Sequence, residues 1–298
     1  MSKPVIVWSP RDARHMSGFA RHLDVVDTIR LDQFVDGDWP VAYMRTSHFL
    51  DEELLASAAI EARLRACGAR IINSVDNRIL CQRKDLYYRQ LSAHYVRVPD
   101  FLINPTLPEI RFCLARGWLR WPFLYRSVDG SGGRDMHLVH DEAGYASAVE
   151  AVLASGRRGM VAQYIDAKGS GRYFTKRRVY GVFGSVDMAV SDVSDHWNVQ
   201  RGGRATVEDY ATENRPRATP ELDLIAVEVG RILGLDVFSM DAVQDSSTGR
   251  WFVVDVNPTY VALPAPILLS GDRRTFFEDH FRRVAAKLKE LSNGDADL

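Results

Sequence analysis

Three cysteines in 298 residues, Cys67, Cys81 and Cys113, are too scattered for a disulfide framework, and none has the CxxC spacing of a zinc ligand set. They read as reduced, buried thiols. Charge of one sign is missing too. The 38 Lys and Arg against 39 Asp and Glu leave a net charge of −1, so neither a nucleic-acid footprint nor a membrane-seeking surface is present. No apolar run approaches the ~20 residues of a membrane span. The opening Met-Ser-Lys-Pro-Val-Ile-Val-Trp runs into a strand-like segment without the apolar region and cleavage site of a signal peptide, so a cytoplasmic location is expected. His137, His140 and His196 are not spaced as metal ligands. HExxH, a Gly-x-Ser-x-Gly elbow and the Walker A lysine-serine pair are all absent, which removes support for zinc, triad-hydrolase and P-loop chemistry.

What is present is an ordinary globular composition, long enough for two or three domains because single cores stop growing near ~250 to 300 residues. Strand-like runs at 4–9, 25–31, 41–45 and 69–73 alternate with helical patterns at 51–68 and 77–94, which argues for a small parallel α/β domain. A second unit follows, with strands at 96–103, 121–127, 136–140 and 160–165 and helices at 108–117 and 141–155. Beyond it come a long alternating stretch at 174–191, a helix at 220–233, two strand-like arms at 237–244 and 250–258, and a last helix at 274–291.

The two arms carry the strongest chemical signal. They are rich in aromatic and branched residues and are separated by Asp245-Ser-Ser-Thr-Gly249, so they read as a hairpin. Alternation puts Phe238, Met240 and Ala242 on a core face with Phe252, Val254 and Val256, and leaves Ser239, Asp241, Asp255 and Asn257 opposite. With Gln244 facing Arg250, Asp241 falls opposite Val253, one step from Asp255. Adjacent carboxylates call for a cation, and an all-oxygen set suits magnesium. A solvated face with chance acids accounts for the same pattern. Similar alternatives accompany the other motifs. The glycines of Asp129-Gly-Ser-Gly-Gly-Arg134 let backbone N–H groups approach a phosphate, and they suit a tight turn equally well. Lys176 and Arg178 share a strand face that could neutralise phosphate oxygens or simply face water. Arg126 and Lys168 are open in the same way.

In this order the pieces resemble the ATP-grasp family. The matching residues are Cys81-Gln-Arg-Lys-Asp85, the strand and loop over 122–134, the strand end Gln163-Tyr-Ile165, the basic strand over 176–184, and Asp241 with Asp255-Val-Asn-Pro258. Trp197-Asn-Val-Gln-Arg-Gly-Gly203 is similar to a segment of the glutathione synthetase and ribosomal-protein glutamate ligase branch.

The resemblance implies an α/β (α+β) chain in three domains. These are a small parallel α/β domain over 1–98, a central subdomain with the glycine-rich loop over 99–163, and a C-terminal subdomain with a metal site over 164–298, the last two clasping ATP. It implies that Gln163, Tyr164 and Ile165 hold the adenine, that Lys84 and Arg126 reach the phosphates, and that Gly130, Ser131, Gly132 and Gly133 close over them. Asp241, Asp255 and Asn257 would hold magnesium, or manganese in its place. Arg178 would stabilise an acyl phosphate, with Lys176 and Arg201 in the catalytic set. The implied activity is an ADP-forming ligase that joins a small-molecule or peptide carboxylate to an amine through an acyl phosphate, with no nucleic-acid or membrane partner and with homo-oligomers compatible. A kinase on the same fold and a non-catalytic nucleotide-binding module are the alternatives. Two residues depart from the family pattern. Arg126 stands where lysine is usual, and Asp255 where glutamate is usual. The N-terminal domain and the 195–204 loop, with Arg45, His48, Trp197 and Arg201, are expected to line the substrate pocket.

Overall fold

The computed structural model describes residues 3–10, 16, 19–46, 51–129, 135–168, 171–199, 219–259 and 271–294. Its first sheet is parallel, in the order β2-β1-β3-β4, from β1 (Val5–Trp8), β2 (Asp27–Arg30), β3 (Val41–Arg45) and β4 (Arg70–Ile72). Parallel neighbours need a crossover, and α1 (Asp51–Ala66) supplies the one between β3 and β4. The acids Asp51, Glu52 and Glu53 fill its first turn, where the helix dipole favours negative charge. The central strands are apolar on both sides because both faces are covered. Val5, Val7, Ala42 and Met44 pack with Ile60 and Leu64 of α1, while Ile6, Val41 and Tyr43 pack with Phe281, Val284 and Leu288 near the end of the chain.

The helical pattern at 77–94 proves to be two helices, α2 (Val75–Gln82) and α3 (Lys84–Ala93). Arg83 leaves the helical region at φ −101° and ψ 91°, and its guanidinium forks onto Asp85 at 3.0 and 2.9 Å. The break puts Lys84 on the first turn of α3.

The second sheet is antiparallel, in the order β5-β8-β6-β7, from β5 (Phe101–Ile103), β6 (Phe123–Ser127), β7 (Met136–Val139) and β8 (Gly159–Gln163). Two helices cover it. One is α4 (Leu107–Ala115), started by a Thr106–Glu109 capping box, and the other is α5 (Glu142–Ala154), whose N-cap Asp141 accepts from Gly144 N at 2.7 Å.

The third sheet holds β9 (Phe174–Val182), β10 (Ser185–Ser194), β11 (Val237–Gln244) and β12 (Trp251–Asn257), antiparallel in the order β10-β9-β11-β12. The alternating stretch at 174–191 is thus a hairpin, turned at Phe183 and Gly184, both with positive φ. Helix α6 (Pro220–Leu233) stops at Gly234, whose φ of 64° lets Leu235 N reach back to Gly230 O. Helix α7 (Gly271–Ser292) completes the chain.

The expected hairpin exists, but its register differs. Gln244 pairs with Trp251, and a bulge next to Asp241 sets that residue opposite Asp255. A bulge opposes an extra residue to one partner and so shifts which side chains face the core. Trp251, Val253 and Val256 are therefore the buried partners of Phe238, Met240 and Ala242, in place of Phe252 and Val254. Asn73, at φ 54°, locks this hairpin to the first sheet. Its amide oxygen accepts from Asp236 N and Val237 N, and its nitrogen donates to Val237 O and to Pro258 O.

Candidate active site

Strand pairing gathers a row of charges on one face of the third sheet. Arg178 on β9 faces Asp241 on β11, Asp241 faces Asp255 on β12, and Lys176 on β9 faces Asp192 on β10. Directly opposed side chains on a sheet lie within contact range, so a charge there must be answered by its cross-strand neighbour. Asp241 is answered twice. Arg178 Nε donates to Oδ1 at 2.6 Å and Nη2 to Oδ2 at 2.7 Å, while Lys176 Nζ donates to Oδ2 at 2.8 Å. Burial alone would push the Asp241 carboxyl up, but the Arg178 and Lys176 charges outweigh it and hold the group well below the usual carboxylate range.

Asp255 is answered from another part of the chain. Lys84 Nζ, brought in by α3, donates to Asp255 Oδ1 at 2.5 Å, and Tyr87 Oη donates to the same oxygen at 3.3 Å. Tyr88, next on α3, donates to Val254 O at 3.0 Å and so aligns the helix along β12. Lys84 is nearly inaccessible, and burial lowers its pKa despite the Asp255 charge. Burial raises the Asp255 carboxyl, yet Lys84 and Arg126 together hold it below its ordinary value. The Arg126 charge acts on it from β6 of the second sheet, so segments of all three parts of the chain bear on one carboxylate.

Asp255 and Asn257 project from the same strand, with Asn257 Nδ2 3.4 Å from Asp255 Oδ2. Among the described residues no three His, Cys, Asp or Glu side chains gather into a cage for a metal. Both oxygens of Asp241 are engaged by cations, whereas Asp255 keeps Oδ2 clear of Lys84, and its side chain is 24% exposed. Such a donor set fits magnesium that arrives with phosphate and water oxygens completing its shell, with Asp255 and Asn257 as the available protein ligands and Asp241 behind them. Four cations, Lys84, Arg126, Lys176 and Arg178, face three carboxylates, Asp192, Asp241 and Asp255, so the assembly suits an anionic ligand.

The root of the glycine-rich loop is held by a second network. Asp129 lies 3.7 Å from Arg83 and 4.0 Å from Arg158, and Arg158 is 3.5 Å from Asp85. Gly130, Ser131, Gly132 and Gly133 themselves, and Arg201 and His48, lie outside the described residues. Gln163 ends β8 where the chain passes toward the third sheet. Its side chain accepts from Arg120 N at 2.9 Å and donates to Pro122 O and Tyr164 O at 3.3 and 3.2 Å. That amide braces its own surroundings, which leaves the backbone of 163–165 as the part able to face a base. Tyr164 and Ile165 follow, half-buried, and burial raises the Tyr164 hydroxyl to about 12. Arg45 is fully buried close to His280 instead of lining an open pocket.

Sequence reasoning missed Tyr87, Tyr88 and Asp192. The tyrosines lie inside the helical pattern at 77–94 with no motif of their own, and the break at Arg83 that starts α3 is not visible in residue type. Asp192 lies in an alternating Ser-Asp-Val-Ser run that looks solvated until its partner across the sheet is known.

No family model and no curated protein sequence matches the chain. Solved structures do. The RimK domain protein ATP-grasp from Sphaerobacter thermophilus DSM 20745 superposes with a TM-score of 0.62 at 17% identity, over 98% of this chain and 100% of that one. D-cycloserine synthetase DcsG gives 0.64 at 17%, over 96% and 99%. ATP-grasp ligase PsnB, complexed with precursor peptide PsnA2 and AMPPNP, gives 0.65 at 14%, over 98% and 97%. At these identities the likeness is one of fold.

Proposed function

We propose that this chain, whose fold is the ATP-grasp fold, is an ADP-forming ligase that joins a carboxylate to an amine through an acyl phosphate. The observation that carries the reading is the charge row on the third sheet, whose two cations and three carboxylates are joined by Lys84 and Arg126 from other parts of the chain, so that cations outnumber carboxylates. Acyl-phosphate chemistry requires positioning and charge neutralisation more than a protein nucleophile, and this row supplies both.

In this reading Lys84 and Arg126 bind the phosphates of ATP, and Gln163, Tyr164 and Ile165 border the adenine. The Gly130–Gly133 backbone covers the phosphates. Asp255 and Asn257, with Asp241 behind, hold magnesium, and manganese is the alternative ion. Bound there, the metal neutralises charge on the phosphates. Arg178 and Lys176, locked in place by Asp241, present fixed positive charge to the phosphoryl group in transfer and to the tetrahedral intermediate that follows. A preorganised cation of this kind needs no rearrangement as charge develops. Arg126 in place of lysine keeps that charge with a planar, forked donor set. PsnB complexed with a precursor peptide and the synthetase DcsG make peptides and small molecules the substrates to try first.

The test is ADP release with a panel of amino acids and short peptides. ADP and inorganic phosphate should appear in equal amounts only when carboxylate and amine are both present. A phosphorylated product without free phosphate would favour a kinase. The absence of turnover with every pair, alongside MgATP binding, would leave a nucleotide-binding module.

A further inference from the structure

The charge row has one member that the ligase reading leaves without a task. Asp192 is 3% exposed, and its Oδ2 is buried and accepts no hydrogen bond. Its nearest charge among the described residues is Lys176, at 3.6 Å, beyond hydrogen-bond reach. Lys176 itself donates to Asp241 at 2.8 Å. Buried carboxylate oxygens nearly always have a donor, and one without calls for an explanation. Asp192 pairs directly with Lys176, and Val190 with Arg178, so Asp192 stands one strand over and two residues along from the arginine at the proposed transfer point. It shares their face. Lys176 and Arg178 are both taken up by Asp241, so Asp192 is a carboxylate left over on this face, suited to a group that the phosphates and the acyl donor do not supply, namely an N–H-bearing cation.

We propose that Asp192 receives the amine substrate. The inference rests on the ligase reading and names the second substrate as a protonated amine. The carboxylate holds the ammonium group beside the acyl phosphate that Arg178 and Lys176 stabilise. One ammonium proton passes to Asp192 and on to water, which frees the nitrogen lone pair. The nitrogen then forms the C–N bond at the acyl carbon. As the tetrahedral intermediate collapses, the C–O bond to phosphate breaks, its electron pair leaves on phosphate, and the departing phosphate carries away the second proton lost from nitrogen. Amide and inorganic phosphate are the products. Asp192 thereby favours a protonated amine over nucleophiles that carry no positive charge.

The experiment uses the full chain with MgATP, a mixture of amino acids and short peptides as carboxylate and amine donors, and hydroxylamine as a competing nucleophile. Hydroxylamine is a weak base, already uncharged at neutral pH, and needs no carboxylate to take its proton. For Asp192→Asn the ratio of amide to hydroxamate should fall by about 100-fold or more, the scale of a lost proton acceptor. Asp192→Glu should recover much of that ratio. Because the ratio is taken within one preparation, partial loss of folded protein cancels. An unchanged ratio in both variants, or equal loss of amide and hydroxamate, would overturn the assignment, the latter by making Asp192 a support for Lys176. Absence of amide and hydroxamate from the unaltered chain would instead remove the ligase reading, and this inference with it.

Discussion

Replacing Asp255 by Asn changes one charge with almost no change of volume, and its effect on stability follows from Lys84. The pair is 2.5 Å apart, with Lys84 only 5% exposed. At an effective dielectric of ~20, charges at that separation attract by about 7 kcal/mol, most of which offsets the loss of hydration. Breaking such a pair from one side leaves a buried, uncompensated charge and typically costs about 3–5 kcal/mol. Asparagine keeps an oxygen for Lys84 to donate to, so about 3 kcal/mol at neutral pH is expected, or roughly 5 °C in melting temperature for a chain of this length. The deficit should depend on pH in a definite sense. Burial puts the folded pKa of Lys84 below its unfolded value. Between those values the unfolded chain binds the extra proton, so stability rises with pH. Without the Asp255 charge the folded pKa drops further and the window widens toward neutrality. Melts of Asp255→Asn from mildly acid to mildly alkaline pH should therefore converge on the unaltered protein as pH rises, and adding Lys84→Met should remove the slope. Turnover should be lost in both variants. Equal stability at every pH, or a deficit that grows with pH, would refute this account of the pair.

Asp241→Asn leaves Arg178 and Lys176 buried with half their counter-charge, so a loss of about 3–5 kcal/mol is expected at neutral pH. Because the folded pKa of Asp241 lies below its unfolded value, that contribution is complete above the usual carboxylate range and fades as pH falls through it, and acid titration of both proteins should show the gap closing. Gly181→Ala would drive a methyl group into the Phe238 ring, which also lies against Gly230, and should destabilise by about 1–3 kcal/mol in denaturant unfolding, with Phe238→Leu as the relieving second change. His280 is fully buried, and burial lowers its pKa although Asp187 Oδ2 lies 2.5 Å from its Nδ1. The unfolded chain therefore takes up the proton first, and stability should drop as pH falls below the ordinary histidine range. His280→Gln should flatten that part of the stability profile.

Much of the fold was legible because burial imposes a period. The arms of the 237–257 hairpin and the acidic start of α1 carry local physical signals, and the face holding Asp241 and Asp255 followed from alternation. What was not legible depends on partners distant in sequence or on backbone choices that residue type does not dictate. The bulge beside Asp241 contains neither Gly nor Pro, so the register and the core role of Val253 and Trp251 could not be read in advance. Phe183 is not a turn former, and its left-handed backbone hid the β9–β10 hairpin inside one alternating run. Arg83 is a good helix former, yet its fork onto Asp85 ends α2. The bracing of residues 120–122 by the Gln163 side chain likewise depends on the packing of β8.

The central claim is an acyl phosphate, and positional oxygen transfer tests it most directly. A carboxylate substrate taken from the ADP-release panel and labelled with 18O in its carboxyl group would be incubated with the chain, MgATP and the amine, and the released inorganic phosphate analysed by mass. Attack of the carboxylate on the terminal phosphorus, followed by C–O cleavage, delivers one carboxyl oxygen to each phosphate. The account predicts phosphate that carries a single 18O in step with amide formed, and unlabelled phosphate released alongside amide would contradict it.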